Sequence, residues 1–133
     1  MSIDLLLDFE EKNIAAFEKI MKQLEYQPQL PLSLKNLIAQ SKRLELVKKK
    51  NLIAFSYFNI HSGIMNVDVL MNVPFSFDKM WEEREDRKVD NFFVNFVSLN
   101  HLIEMKKYSD RIQDQQDVLL LSQLKNGKSK RKK

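Results

Sequence analysis

Two aspartates of the chain stand inside short apolar segments, where a carboxylate is unusual. Asp68 lies between two valines, and Asp4 lies between an isoleucine and a leucine. A charged side chain in a buried strand costs free energy unless it is paired or binds a metal. Because hard divalent cations prefer carboxylate oxygens, Asp4 and Asp68 on separate strands are candidates to share one ion. The alternative is that both are edge or strand-end residues that face water.

Few other residues of the chain suggest chemistry. The sequence contains no cysteine, which excludes disulfides and thiolate metal sites. We expect His61 in a loop and His101 in the first turn of a helix, without the spacing of a histidine metal site. No Ser-His-Asp arrangement and no glycine-rich phosphate motif is visible, so hydrolase and P-loop functions receive no support.

The positive net charge of the chain comes from its last nine residues. The whole chain has 22 basic and 18 acidic residues, a net charge of +4. Residues 125–133 hold six of the basic residues and no acidic one, which leaves 16 basic and 18 acidic residues, a net charge of −2. We therefore predict a disordered basic tail with weak attraction for polyanions, and no nucleic-acid-binding surface on the rest of the chain.

Length and composition predict one globular domain over residues 1–124. Apolar residues make up 44% and charged residues 30% of the chain, as in ordinary globular proteins. No apolar run approaches the roughly 20 residues of a membrane span, and the amino terminus lacks the pattern of a signal peptide. These features predict a cytoplasmic protein without a membrane partner.

The central stretch predicts a β-hairpin that carries Asp68. Two apolar runs, Leu52–Phe58 and Ile64–Met71, are separated by five residues that include Ser62 and Gly63. A short strand, Ser2–Leu7, begins the chain. These strands combine with the helices predicted below into an α+β fold, a small mixed sheet packed against helices.

Helical periodicity and capping residues predict the remaining elements. The predicted helices are Glu10–Tyr26 with Asp8 as N-cap, Leu34–Lys50, a short helix from Ser76 to about Glu85 with Met80 and Trp81 inward, one from Ser98, and one capped by Asp114. A second, tighter hairpin is predicted around Asp90 and Asn91.

Four blocks of the sequence occur in a familiar order. They are LLLDFEEKNIAAFEKIMKQLEYQPQLPL, KKKNLIAFSYFN, NVDVLMNVPFSFDKMWEERE and VSLNHLIEMKKYSDRIQDQQDVLLLSQL. Together they resemble the small bacterial nucleotidyltransferase-like proteins of the polymerase-β superfamily, near the AbiEii-type toxin group. The resemblance runs from about Ser2 to Leu124.

The resemblance implies a magnesium and nucleotide site. In that family, an Asp-x-Asp pair on one strand and a third carboxylate on another strand hold two Mg²⁺ ions, which bind a nucleoside triphosphate for nucleotidyl transfer. By position, Asp4 matches the second aspartate of the pair and Asp68 the third carboxylate. Lys106 matches a lysine that points at the phosphates, and Arg111, Asp114 and Asp117 match the polar turn after it.

The sequence also departs from the family pattern. Ser2 stands where the first aspartate of the pair is expected, and the glycine turn that cradles the phosphates would lie upstream of Met1. We therefore expect a truncated or degenerate member, or a start codon assigned too late. Such a chain would keep a residual divalent-metal and nucleotide site and lack transfer activity on its own.

A second hypothesis assigns the chain to a different functional class. In it the chain is a non-catalytic interaction module, an antitoxin-like or oligomerising protein that uses an exposed strand edge or the basic tail. Its partner would be another protein or a second copy of the chain. A structural remnant without its own function is a third possibility.

Overall fold

The computed structural model of the protein describes residues 2–50, 52–107 and 116–123. Contacts within the chain define two compact units, Met1–Val73 and Pro74–Lys133, and each unit is described by itself. The prediction of one domain over residues 1–124 stays a prediction. The predicted tail, residues 125–133, lies outside the described residues.

The first unit contains a four-stranded mixed sheet. Its strands are β1 (Ser2–Leu5), β2 (Tyr26–Pro28), β3 (Ala54–Asn59) and β4 (Asn66–Leu70). Their order in the sheet is β1-β4-β3-β2, with β1 parallel to β4 and the other neighbours antiparallel. Strands β3 and β4 form the predicted central hairpin. The predicted fold class, a small mixed sheet with helices, is confirmed.

One face of this sheet carries the core of the first unit. Phe55 and Val69 are fully buried, and the ring of Tyr57 packs edge-on against the rings of Phe55 and Phe17. Alternation along the strands turns every second side chain toward this face. The buried cluster consists of Ile14, Met21, Leu34, Leu37, Phe55, Tyr57, Val67, Val69 and Met71.

Helix α1 (Glu11–Gln23) has a different cap from the predicted one. Glu10, not Asp8, is the N-cap, and its carboxylate accepts hydrogen bonds from the backbone N–H groups of Lys12 and Asn13. Asp8 instead accepts a hydrogen bond at its carbonyl from the Asn13 amide. The prediction of Asp8 was wrong because aspartate is the commoner cap, whereas the backbone here enters the helix two residues later.

The chain turns into a strand before the predicted end of α1 at Tyr26. The helix ends at Gln23, and Glu25 adopts a left-handed backbone with φ of 65°. Strand β2 follows and pairs with β3 in a segment that the sequence indicated only as a connector. The Tyr26 hydroxyl then donates to the carbonyl of Met65, 2.9 Å away. This strand depends on its pairing with β3, which local sequence patterns do not reveal.

The predicted helix over Leu34–Lys50 is two helices. A 3₁₀ helix covers Leu34–Leu37, and α2 covers Gln40–Lys50. Both lie in the predicted range, but the helical periodicity extended across the break between them. The single long helix is therefore corrected to two.

Arg43 stabilises the break between the two helices. Its guanidinium donates to the carbonyls of Leu37 and Ile38, at 2.9 and 2.6 Å. These carbonyls end the 3₁₀ helix and would otherwise lack helical partners. The guanidinium also lies 4.1 Å from the ring centroid of Phe9. Burial lowers the pKa of Arg43 from its usual value.

The second unit contains a hairpin and helices. Its elements are α3 (Phe77–Glu82), β5 (Glu85–Val89), β6 (Phe92–Phe96), α4 (Leu99–Lys107) and α5 (residues 116–123). The Ser76 hydroxyl caps α3 by accepting from the Lys79 N–H, as predicted, and Asp90 turns the predicted hairpin with φ of 55°. Across the described ranges, no helix is both long and apolar enough to cross a lipid bilayer.

Trp81 does not point inward as predicted. Met80 is buried, but 43% of the Trp81 surface is exposed. The indole stacks on Phe77 and lies 3.9 Å below the Arg84 guanidinium. The prediction was wrong because consecutive side chains on an α-helix point about 100° apart, so Trp81 is turned aside when Met80 is buried.

Candidate functional site

The strand register places Asp4 and Asp68 side by side. Strands β1 and β4 run parallel, and Asp4 is the register partner of Asp68. Residues paired across neighbouring strands project from the same face of a sheet. The two carboxylates therefore share one face, on adjacent strands.

This face is opposite the buried core. Val67 and Val69 flank Asp68 and are both buried, so alternation turns Asp68 to the other side of the sheet. Asp68 lies on an inner strand and is half-buried, whereas Asp4 lies on the edge strand and is exposed. Asp4 thus matches the alternative of a water-facing edge residue, and Asp68 lies within the sheet.

Further oxygen atoms lie near the carboxylate pair. The Ser2 hydroxyl donates to a carboxylate oxygen of Asp4 at 3.2 Å. Ser56 of β3 is the register partner of Asp68 on its other side, so its side chain projects from the same face. Within residues 2–50, 52–107 and 116–123, no basic side chain forms an ion pair with Asp4 or Asp68.

The chemistry of the pair fits one hard divalent cation. Magnesium is commonly bound through one or two carboxylates, with water and phosphate oxygens completing the shell. The described residues contain no group of three or more His, Cys, Asp or Glu side chains placed to hold a metal. Asp4 and Asp68 would therefore supply two ligands, and the rest of the shell would come from water or a bound phosphate.

Lys106 belongs to the second unit and is engaged there in an ion pair. Its ammonium lies 2.9 Å from a carboxylate oxygen of Asp117 on α5, and both side chains are partly buried. Lys106 and Asp117, which the resemblance matched to the phosphate-contacting lysine and to the polar turn after it, therefore contact each other. Arg111 and Asp114 lie outside the described residues.

A buried histidine network was missed by the sequence analysis. His101 contacts the Ser98 hydroxyl through Nδ1 at 3.1 Å and the Glu83 carboxylate through Nε2 at 3.2 Å. The Phe75 ring lies 4.6 Å from the imidazole. The Ser98 oxygen also accepts from the His101 backbone N–H, so it caps α4.

Serine, histidine and a carboxylate are the residue types of a catalytic triad, but here their contacts have a structural role. Ser98 is buried and its oxygen holds the start of the helix, so the contacts orient His101 rather than prepare a nucleophile. The spacing of three residues between Ser98 and His101, typical of a capping pair, was the available signal.

A cavity of about 330 Å³ lies beside α2 in the first unit. Its lining combines apolar and basic residues: Leu32, Leu37, Leu46, Lys42, Lys49 and Lys50, with Asn36 and Glu45. Lys49 donates to Glu45 at 2.8 Å, which lowers the pKa of that carboxyl. No sequence pattern indicated this cavity, because one continuous helix was predicted there.

Comparisons with protein-family models, with curated proteins and with solved structures give no match. Membership of a family therefore stays a prediction that rests on the sequence blocks described above.

Proposed function

We propose that the chain is a nucleotidyltransferase-type domain of the polymerase-β superfamily in which Asp4 and Asp68 bind one Mg²⁺ ion together with a nucleoside triphosphate. The observation that carries the proposal is the direct pairing of Asp4 with Asp68 on adjacent parallel strands. The proposal covers binding and not nucleotidyl transfer, because Ser2 stands at the position of the first aspartate. Lys106, Arg111 and Asp114 stay phosphate-site predictions from the resemblance.

The geometry also gives a physical reason for a cation. Like charges at directly paired positions destabilise a sheet by roughly 0.2–1 kcal/mol. A divalent cation held by both carboxylates offsets this repulsion, and its remaining positive charge attracts the oxygens of a triphosphate. Since the unfolded chain does not hold the two aspartates together, cation binding stabilises the folded state by mass action.

Calorimetric titration with Mg²⁺ and Mn²⁺ tests the proposal. We expect one site in the unchanged protein and at least about a tenfold weaker affinity after Asp68→Ala, which removes one of two charged ligands. Asp8→Ala is the matched control, because it removes a carboxylate four residues after Asp4 in the sequence and keeps the carbonyl that accepts from Asn13. Equal cation binding by the unchanged protein and Asp68→Ala would refute the site.

A stability measurement separates a lost ligand from a damaged fold. Without metal, Asp68→Asn is expected to be as stable as the unchanged protein or more stable, by up to about 1 kcal/mol, since it removes the repulsion with Asp4. Added Mg²⁺ is expected to raise the melting temperature of the unchanged protein and not that of the variant. A destabilised Asp68→Asn would show that the carboxylate is needed for folding instead.

A further inference from the structure

The β5–β6 hairpin exposes large apolar side chains on both of its faces. Phe92 is 74% exposed and Phe93 is 73% exposed, and Val89, Val94 and Phe96 are also exposed. Strand alternation places Val89, Phe92, Val94 and Phe96 on one face and Phe93 on the other. Contiguous exposed apolar residues of this kind mark interaction surfaces.

The two edges of the hairpin differ sharply in charge. Strand β5 carries Glu85, Asp86, Arg87 and Lys88, whereas β6 reads Phe-Phe-Val-Asn-Phe without a charged residue. The β5 charges are partly paired, with Arg87 bound to Glu85 and Arg84 bound to Asp86, each at 3.0 Å. Charged side chains protect a strand edge from pairing with another chain. The β5 edge is therefore protected. No strand among the described residues pairs with the outer edge of β6, which leaves that edge open.

The ladder indicates which backbone groups the open edge offers. The hairpin is two-stranded, and the pair that closes its turn is Val89 with Phe92. In a hairpin with a two-residue turn this pair exchanges backbone hydrogen bonds, and bonded and non-bonded pairs then alternate. The backbone groups of Phe93 and Asn95 therefore point away from β5, toward the free edge.

We propose that β6 pairs antiparallel with β6 of a second copy of the chain, about a twofold axis at Val94. In this register Phe92 of each copy lies opposite Phe96 of the other, and Val94 lies opposite Val94. The outward backbone groups of Phe93 and Asn95 meet each other and form the hydrogen-bonded pairs. Aromatic residues at opposed positions are among the favourable cross-strand pairs.

The charge pattern selects a second copy as the partner. An edge without charges pairs best with a neutral apolar strand. Strand β6 is itself such a strand, with Phe92 and Phe96 two residues to either side of Val94. The paired hairpins form a four-stranded sheet in the order β5-β6-β6-β5, which places the charged β5 strands at both outer edges. Because those edges are protected, the assembly closes as a twofold dimer and does not extend.

Single cysteines test the twofold register in the full chain. The protein has no cysteine of its own, and opposed non-hydrogen-bonded residues have Cα atoms about 4.5 Å apart, within the range of a disulfide. Val94→Cys is therefore expected to form a disulfide-linked dimer under mild oxidation. Val89→Cys changes a valine that is 49% exposed, against 38% for Val94, and that lies on the same face but on β5. This variant is expected to stay largely unlinked. Equal cross-linking of both variants, or none of Val94→Cys, overturns the register.

Sedimentation analysis of lysine variants tests the dimer itself. The unchanged protein is expected to sediment as two chains, and Val94→Lys as one, because two ammonium groups would face each other at the axis. Val89→Lys makes the same chemical change away from the paired edge and is expected to stay dimeric. A monomeric unchanged protein, open-ended aggregation, or loss of the dimer in both variants, which would indicate packing through the apolar face, overturns the proposal.

Discussion

Consecutive residues of β3 and β4 lie on opposite faces of the sheet in the first unit. Tyr57 of β3 pairs with Val67 and faces the core, whereas Ser56 pairs with Asp68 and faces the opposite side. Burial, together with the nearby Glu18 carboxylate, raises the pKa of the Tyr57 phenol well above its usual value. At the residue scale, strand alternation therefore places the candidate metal ligands on one face of the sheet and the Tyr57 phenol, which resists ionisation, on the other.

The raised pKa of Tyr57 predicts a loss of stability at alkaline pH. The unfolded phenol ionises near pH 10, and the folded phenol ionises only at higher pH, so unfolding releases a proton above about pH 10. The stabilisation is fully present below that pH and falls by up to about 1.4 kcal/mol per pH unit above it. Urea unfolding between pH 9 and 11.5 is expected to show a steeper decline for the unchanged protein than for Tyr57→Phe. Parallel declines would contradict this assignment.

At the scale of elements, α2 is attached to the first unit by partly buried apolar contacts and by one arginine. None of its residues is fully buried, but Leu46 and Val47 pack against the core. Arg43 also joins α2 to the end of the 3₁₀ helix through two carbonyls and to the Phe9 ring. One charged side chain thus connects three segments of the chain.

Removal of Arg43 is expected to destabilise the first unit. Arg43→Ala leaves the carbonyls of Leu37 and Ile38 without their donor, which is expected to cost about 1–3 kcal/mol. Arg43→Lys keeps the charge but loses the planar guanidinium, whose single nitrogen Nη1 donates to both carbonyls, so an intermediate loss is expected. Lys42→Ala is the exposed neighbour and control. Urea denaturation measures all of them, and equal stability of Arg43→Ala and Lys42→Ala would disprove the anchoring role.

At the scale of the whole molecule, charge is distributed unevenly along the chain. Residues 125–133 carry six basic residues, and the remaining chain has a net charge of −2. A polyanion would therefore be attracted mainly by this segment, whose contacts depend on counterion release.

Deletion of residues 125–133 is expected to abolish weak nucleic-acid binding at low salt. Fluorescence anisotropy with a labelled duplex of arbitrary sequence measures the change, and the binding of the full chain is expected to weaken steeply with added salt. The deletion is expected to leave the proposed cation binding by Asp4 and Asp68 and the proposed self-association through β6 unchanged. Undiminished duplex binding by the shortened chain would place the basic surface elsewhere.

Elements that depend on local sequence were predicted well. The central hairpin, the turn at Asp90, the cap at Ser76 and the helix start at Ser98 are all present. Each depends on interactions between residues close in the chain, such as a hydroxyl that accepts from a backbone N–H three residues on. Such interactions leave a recognisable pattern in a single sequence.

The errors in prediction share a physical cause. Strand β2 exists because it pairs with β3, α2 is separated from the 3₁₀ helix by the bonds of Arg43, and Trp81 packs beneath Arg84. Each involves contacts whose energy depends on the folded surroundings. Local propensity is a weak guide where such contacts decide the structure.

Local sequence patterns predicted one part of the candidate site, and the tertiary structure decided the other part. The alternation of apolar residues around Asp4 and Asp68 was sufficient to place each aspartate on a strand, because strand periodicity is a local property. Their direct pairing, the face they share and the exposure of that face were decided by the parallel register of β1 and β4. Residues 64 positions apart along the sequence become neighbours only through the sheet, since register is set by burial of the core face.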